Sequence, residues 1–360
     1  MGSFILKRLL NAIAVLFGIT TLVFFLFRIL PGNSEYLKQG EAIDVAAQSR
    51  ILADQNRNQP LFLQYFLYLN DLSPISLHNL NKKESGLYFD QLKYPSAKII
   101  LKLGTEKIIV VKPPYLRRSY QSNRKVSDIL MDALPETALL ALMALALAAV
   151  IGISLGALAA LYQGKFMDKI TLLFSVLAMS MPAFLIGILI AWIFGYLLSE
   201  FTGLNMTGSL YTQDDYGNGE FLDLKNAILP AFALSLRPLA ILAQLTRTTL
   251  MDVLSQDFVR TAKAKGLATF KIVTKHVLRN AASPLLTAIS GWLAGLMAGA
   301  VFIETIFGWK GIGKEVVDAL DKYDLPVVMG AVLLFAVLFL VIQFLIDLIQ
   351  AFFDPRIRLS

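Results

Sequence analysis

The chain has 360 residues, of which 56% are hydrophobic, and its 33 lysines and arginines exceed its 26 acidic residues to give a formal net charge of +7. A mean hydropathy of +0.62 is too high for a water-soluble domain and indicates a protein that crosses a membrane. Cysteine is absent and histidine occurs only as His78 and His276, so neither a disulfide framework nor a protein metal site is predicted. The basic residues are dispersed along the chain, which argues against nucleic-acid binding.

Six apolar runs are long enough to span a bilayer, which takes about 17–25 residues in a helix. Five of the runs contain no charged residue: 9–27, 137–164, 170–199, 280–303 and 325–346. The fourth run in chain order, 226–246, is interrupted by Arg237. The first run has no small-residue cleavage site, which favours a retained helix over a removed signal peptide. We therefore predict an all-α, polytopic membrane protein with six spanning helices.

A long loop, residues 31–126, connects the first two spans and is predicted to lie outside the membrane. Within it, residues 98–112 favour a small β-hairpin, because two short apolar and β-branched stretches flank Gly104-Thr105-Glu106, which is typical of a turn. The breaker Pro113-Pro114 follows.

The charges of the short loops predict how the chain is oriented, because lysine and arginine concentrate on the cytoplasmic side of a membrane. The turn at residues 165–169 and the loop 257–280, with six basic residues, are therefore predicted to be cytoplasmic. The loops after the third and fifth spans carry more acidic than basic residues and are predicted to be external. Both termini of this multi-pass protein of the cell membrane are then cytoplasmic.

Two sets of glycines at four-residue spacing predict helix faces that allow close approach of a neighbouring backbone. Gly152 and Gly156 lie in the second span, and Gly291, Gly295 and Gly299 lie in the fifth. The spacing is compatible with packing inside the chain and with a seam shared with a partner subunit or a moving gate.

Two prolines and one arginine interrupt the third and fourth spans. Pro182 and Pro238 are predicted to kink or break their helices, since proline removes an internal hydrogen bond and crowds the preceding turn. Arg237 lies in the middle of a span, where a cation is costly unless it faces protein or water. Either it pairs with backbone carbonyls or a partner subunit's acid, or it lines an aqueous path for an anionic or zwitterionic solute.

Residues 257–267 form a short basic helix followed by a glycine, between two apolar spans. Gly266 supplies the free backbone that a break between two helical stretches needs. Ala262 and Ala264 are small enough for a partner's surface to come close. In the second stretch, Phe270, Val273 and Val277 are spaced to share one helix face. Because the loop is predicted to be cytoplasmic, its partner is expected there too.

Residues 308–314 fit the spacing G-x-x-x-x-G-K of a phosphate-binding loop. The next residue is Glu315 instead of the serine or threonine that holds magnesium, and the segment follows a membrane helix instead of a strand. A tight glycine-rich turn is the better interpretation, so the chain is predicted not to hydrolyse ATP.

The segment 257–267 resembles the cytoplasmic Glu-Ala-Ala…Gly loop of ATP-binding-cassette (ABC) importer permeases, with Arg260-Thr261-Ala262 as in the dipeptide, oligopeptide and nickel branch. The resemblance extends over most of the chain except roughly residues 73–116. Its further motifs are Leu30-Pro31-Gly32, Asn58-Gln59-Pro60-Leu61 with Gln64-Tyr65, Glu304-Thr305-Ile306-Phe307 with Gly311-Ile312-Gly313, Pro326-Val327-Val328, and Asp354-Pro355-Arg356-Ile357-Arg358.

The resemblance implies a permease subunit that forms, with a second homologous permease, a pathway for peptides, nickel chelates or related small solutes. Two ABC ATPase subunits or domains would dock on residues 257–275, here named the coupling segment, and would use the ATP and magnesium that this chain does not bind. The docking residues implied are Asp257, Arg260, Thr261, Ala262, Lys263, Ala264, Gly266 and Leu267. An external solute-binding protein would supply the solute and largely set its identity.

In this interpretation residues 1–30 are the first spanning helix, 31–126 an external region, 127–353 a five-helix permease core with a cytoplasmic loop at 251–280, and 354–360 a cytoplasmic tail. The hairpin is either a lineage-specific decoration or a contact for the solute-binding protein. A secondary transporter and a non-transporting scaffold are the alternative classes. The first usually shows inverted repeats, which are not found here, and the second would not need a docking segment.

The orientation can be tested because the chain has no cysteine of its own. Single cysteines at Asn81, Asn218 and Asp321 should react in whole cells with a membrane-impermeant thiol reagent. Cysteines at Gly164, Ala268 and Leu359 should react only after the cells are opened. Labelling of residue 268 but not residue 218 in intact cells would contradict the charge argument.

Overall fold

The computed structural model describes residues 2–29, 59–81, 86–91, 93–213 and 219–353. The motif Leu30-Pro31-Gly32, the labelling positions Asn218 and Leu359, and the tail 354–360 lie outside these residues. The helices are α1 (Gly2–Ile29), α2 (Leu61–Leu72), α3 (Val126–Leu161), α4 (Phe166–Ser180), α5 (Ala183–Trp192), α6 (Ser199–Thr202), α7 (Lys225–Leu254), α8 (Asp257–Ala264), α9 (Thr269–Ile272), α10 (Leu278–Gly299), α11 (Val301–Phe307), α12 (Ile312–Asp321) and α13 (Leu325–Phe353). The strands are β1 (Ile75–Asn79), β2 (Lys98–Leu103), β3 (Lys107–Val111), β4 (Tyr211–Gln213) and β5 (Glu220–Leu222).

The predicted polytopic helical fold is confirmed, with about six spans in the described part of the chain. Five continuous stretches are long and apolar enough to cross a membrane: Leu6–Phe27, Val126–Leu161, Lys225–Leu254, Thr269–Gly299 and Leu325–Leu348. Helix α4 and the stretch Ala183–Leu197, which meet at a bend of 110°, make a sixth span if the pair is taken as one broken span.

The two prolines singled out in the sequence behave differently. Pro182 begins α5 with extended backbone (φ −60°, ψ 140°), so the predicted break in the third span is confirmed. No break occurs at Pro238, which is buried within the continuous helix α7 together with Pro230. Helices α4, α5, α10 and α11 pack around α7, as is usual where a spanning helix tolerates proline.

The described residues form two compact units. The first comprises Met1–Leu9, Ala133–Val317 and Val337–Ser360, and the second comprises Leu10–Asp132 and Asp318–Ala336. The boundaries between these units fall inside helices α1, α3, α12 and α13. The division of domains expected from the sequence stays a prediction. In the first unit α7 is the central helix, because α4, α5, α10 and α11 all pack against it.

The second unit contains an antiparallel sheet with strand order β1-β3-β2. The hairpin predicted at residues 98–112 is confirmed as β2 and β3, and β1 adds a third strand that was not predicted. Strand β3 turns Ile108 and Val110 inward, and both are fully buried. Opposite them on β1 lie His78 and Ser76, respectively.

Buried polar groups hold this sheet to α2. Asp71 of α2 accepts hydrogen bonds from the Tyr94 hydroxyl and, at 3.2 Å, from Lys93 Nζ, and its backbone carbonyl accepts one from Lys112 Nζ. His78 is 1% exposed, and its ring centroid lies 4.9 Å from that of Tyr94. Burial, followed by the nearby charge of Lys112, lowers the pKa of His78 to about 4.

Acid should therefore loosen this sheet. Between pH 6.5 and about 4, the unfolded segment binds a proton on His78 that the folded sheet excludes, so stability falls as the pH falls through this window. The expected loss at pH 5 is on the order of 1–2 kcal/mol. This loss of stability is measured by hydrogen exchange of the β1 and β3 amides in the full-length protein, corrected for the intrinsic exchange rates.

The variant His78→Phe is the control, because it keeps an aromatic ring beside Phe89 and Tyr94 but cannot titrate. Its protection factors should not change between pH 7 and pH 5. Equal protection of the unaltered sheet at both pH values would contradict the prediction.

Candidate functional site

The coupling segment begins directly after the central helix α7. The backbone turns at Gln256, which is extended (φ −75°, ψ 152°), and α8 follows from Asp257 to Ala264. Gly266 adopts a left-handed conformation (φ +73°), and a Cβ at this position would meet no atom within 4 Å. Its backbone N–H donates to the Lys263 carbonyl at 2.9 Å, which ends α8 before α9 begins at Thr269. A residue other than glycine would strain this turn through its backbone alone.

One face of the coupling segment packs against the chain itself. Val259 is fully buried and Ala262 is 9% exposed. They belong to an apolar cluster contributed by the ends of α3, α7 and α10 and by the segment itself: Ala160, Leu250, Val253, Val259, Ala262, Ile272, Val273, Val277, Ala281 and Leu285. Full burial of a valine or leucine side chain contributes about 1.5–3 kcal/mol. The segment is therefore firmly seated on three spans.

The other face of the segment is exposed and basic. Arg260, Lys263, Lys265 and Lys271 are all exposed, as are Asp257, Thr261 and Ala264. Arg260 lies 3.6 Å from Asp257, but both side chains are more than 80% exposed, so this pair adds little stability. The face thus offers cations to a partner.

Two side chains of the coupling segment face the side opposite to the one expected from the sequence. Ala262, expected to leave room for a partner, faces its own chain, where its small size lets α8 pack on the spans. Phe270, expected to share a face with Val273 and Val277, is 79% exposed, while both valines are buried. A π-helical turn at Val273–Val277 departs from the 3.6-residue period that the spacing argument assumed.

The glycines of the second span lie against α7. A Cβ on Gly152 would be 2.8 Å from the Leu239 carbonyl oxygen, and one on Gly156 would be 2.4 Å from that of Ala243. Two backbones therefore touch at these positions. A matching Cβ on Gly291 or Gly299 would meet nothing within 4 Å, and one on Gly295 would meet only Trp292 of its own helix at 4.0 Å.

An ion pair that sequence reasoning missed fastens α4 to α7. Asp168, 3% exposed, receives two parallel hydrogen bonds from the guanidinium of Arg247, one of them 2.9 Å long. The same carboxylate accepts the backbone N–H of Gly164 at 2.8 Å. Such forked pairs are geometrically specific. The residues are 79 positions apart, and Arg247 lies one residue beyond the predicted span, so no local pattern joins them.

Arg237 is exposed on α7, although its neighbours Leu236 and Pro238 are buried. Within the described residues it makes no hydrogen bond or ion pair. Nor do the described residues include a group of three or more histidines and carboxylates that could hold a metal ion.

Comparison with known proteins gives full-length matches. The chain is 30% identical over 359 residues to the dipeptide transport system permease protein DppB of Bacillus subtilis (strain 168), covering 100% of this chain and 99% of that protein. It is 32% identical over 375 residues to the di/tripeptide transport system permease protein DppB of Pseudomonas aeruginosa (strain UCBPP-PA14), covering 99% of each. A similar match, 30% over 376 residues, is to DppB of Escherichia coli (strain K12).

Among solved structures, the inward-facing MetNI methionine ABC transporter aligns with 62% of this chain and 95% of its own with a TM-score of 0.50, at 17% identity. This similarity concerns the fold alone. Residues 1–79 match the N-terminal family of binding-protein-dependent transport system membrane components. Residues 152–359 match the family described as "Binding-protein-dependent transport system inner membrane component". The chain belongs to this family of inner-membrane permease subunits of ABC importers.

Proposed function

We propose that this permease subunit lets peptides cross the membrane, driven by separate ATPases that dock on the coupling segment. The observation that carries the proposal is the two-sided character of that segment. Its inner face is buried on the ends of α3, α7 and α10, and its outer face is exposed, basic and carries an aromatic ring. A partner that pushes or pulls this face acts on three spans at once.

The peptide assignment rests on the full-length relatives, whose names specify dipeptides and, in one case, di- and tripeptides. The free peptide's two charged ends would need a polar path through the bundle. Arg237, an exposed cation in the middle of α7, fits a position where it meets the peptide's carboxylate or a partner's acid.

The outer face of the coupling segment predicts the chemistry of its ATPase partner. Exposed Arg260, Lys263 and Lys271 favour an acidic surface, and Phe270 favours an apolar pocket within it. ATP and magnesium would then act in the partner, and this chain would pass on the movement without catalysing a reaction. A rigid displacement is transmitted well because packed interiors resist deformation.

The remaining parts of the assembly follow from the family and from the uncovered surfaces. A second permease would cover the open glycine face of α10, where backbones can approach closely. A solute-binding protein would deliver the peptide from outside. The basic coupling segment lies in the cytoplasm under the charge rule, and both termini lie there too.

The docking assignment is tested by Phe270→Ala. Removing an exposed aromatic anchor should weaken binding of the ATPase by about 1–3 kcal/mol, which is roughly 5- to 150-fold. The variant should fold normally because the ring contributes little to the chain's own packing. Binding of the purified ATPase to the permease in lipid nanodiscs measures the effect.

Phe201→Ala is the matched control, since Phe201 is 87% exposed and lies in α6, after the third span. Gly266→Val should also fail to couple, because valine disfavours the left-handed backbone at that position. If Phe270→Ala binds the ATPase as tightly as Phe201→Ala does, the docking surface is assigned wrongly.

The pathway and the permease seam are tested with single cysteines at Arg237 and Gly291. In the assembled complex, Arg237→Cys should react with a small water-soluble thiol reagent, and transported peptide should slow that reaction. Gly291→Cys should be shielded from the reagent and should crosslink to a cysteine in the second permease. Equal reactivity of residue 291 in the isolated chain and in the complex would rule out the seam. Reactivity of residue 237 that is insensitive to peptide would rule out the pathway position.

A further inference from the structure

Glu304 is a fully buried acidic residue in the first turn of helix α11, which belongs to the first unit. Its Oε2 accepts the backbone N–H of Gly313 at 2.7 Å and that of Lys314 at 3.3 Å. These two N–H groups belong to the first turn of α12, where an α-helix has no internal acceptors for its N–H groups. The carboxyl group also lies at the positive end of the α12 dipole. Glu304 is thus the cap of a helix that begins eight residues later in the chain.

Two glycines of the phosphate-loop-like segment, Gly311 and Gly313, leave room for this carboxyl group. A Cβ on Gly311 would lie 2.4 Å from the carboxyl carbon and both oxygens of Glu304. A Cβ on Gly313 would lie 2.8 Å from Oε2 and 2.4 Å from the Cα of Val301. The segment is a tight glycine-rich turn, as expected, and it holds the chain's own Glu304 carboxyl group at a helix N-terminus.

The same turn is bonded to α3. The backbone N–H of Ile312 donates to Thr137 Oγ1 at 2.8 Å, and the indole N–H of Trp309 donates to the Glu136 carbonyl at 3.1 Å. Thr137, Trp309 and Ile312 are all fully buried. Elements α3, α11 and the start of α12 are therefore joined by hydrogen bonds in a site closed to water.

The joined elements lie at the far end of the spans from the coupling segment. Helix α10 starts at Leu278, close to that segment, and runs 22 residues, or about 33 Å, before α11 begins. Helix α3 contributes Ala160 to the coupling cluster and Thr137 to the Glu304 site. Helices α3 and α10 thus connect the coupling segment with the Glu304 site.

We propose that Glu304 is a positioning residue for transport, which holds the outer ends of α3 and α11 and the start of α12 together as one block. Movement imposed on the coupling segment then reaches the outer end of the pathway through α3 and α10 without being lost between them. The inference rests on the proposed function, in which that movement comes from the ATPases.

The test uses the complete complex of both permeases, ATPases and binding protein in liposomes. Peptide uptake per assembled complex and ATP hydrolysis stimulated by the loaded binding protein are measured together. Glu304→Ala should lower uptake per complex at least tenfold while hydrolysis stays within threefold of the unaltered level. Glu304→Gln should keep uptake within threefold, because its amide oxygen can still accept the two N–H groups. Thr305→Ala, at the exposed neighbouring position, is the control and should behave as the unaltered complex does.

A pair of glycine variants separates this role from general packing. Gly311→Ala alone should impair uptake, since its methyl group collides only with the Glu304 carboxyl among its nearest atoms. In the double variant Glu304→Ala/Gly311→Ala, uptake should be less than twofold lower than in Glu304→Ala alone. Gly313→Ala should remain harmful in the Glu304→Ala background, because its methyl group also meets the Val301 backbone.

Unchanged uptake in Glu304→Ala would overturn the inference. So would a loss of assembled complex with normal uptake per remaining complex, in Glu304→Ala or in Gly311→Ala, because that result assigns Glu304 to folding only. If the unaltered complex itself moves no peptide on addition of ATP, the proposed function fails instead.

Discussion

The seating of the coupling segment on three helix ends is the contact on which the account depends. Val259, Ala262 and Ile272 bury one face of the segment against α3, α7 and α10, so that it cannot shift without moving those spans. Apolar packing of this density has few alternative arrangements, which is what a part that transmits movement needs. The opposite face stays free to bind because lysine and arginine keep it in water.

Close backbone contacts and polar contacts hold the spans to one another. The close backbone contacts of Gly152 and Gly156 with α7, and the forked ion pair between Asp168 and Arg247, join α3, α4 and α7. The hydrogen bonds of Glu304 and Thr137 join α3 to the region after α10. The helix α10 keeps one face open, at Gly291, Gly295 and Gly299, so the chain has a packed side and a side suited to a partner.

Much of this could be predicted from the sequence, because long apolar runs, loop charges and a glycine between helical stretches are local signals. These local signals predicted the spans, the hairpin, the break at Pro182 and the turn at Gly266. The outward side of Phe270 could not be predicted, since a π-helical turn alters the helix phase. The inward side of Ala262 could not be predicted either, because the helix ends that bury it come together only on folding. The Asp168–Arg247 pair and the cap formed by Glu304 depend on residues brought together only by folding. Strand β1 is a short, partly polar stretch that becomes a strand through its pairing with β3.

The central claim is that the coupling segment and its spans move as one body when ATP binds. Spin labels at Thr261 and Thr305 report on this directly, since both positions are exposed and lie at opposite ends of the same unit, and the chain has no native cysteine to remove. The account predicts that the distance between these two labels stays constant within about the 1–2 Å scale of small helix shifts. The distance between residue 261 and a label on the second permease's corresponding segment should change by several times that amount. A change of the distance between Thr261 and Thr305 as large as the change between subunits would contradict this claim.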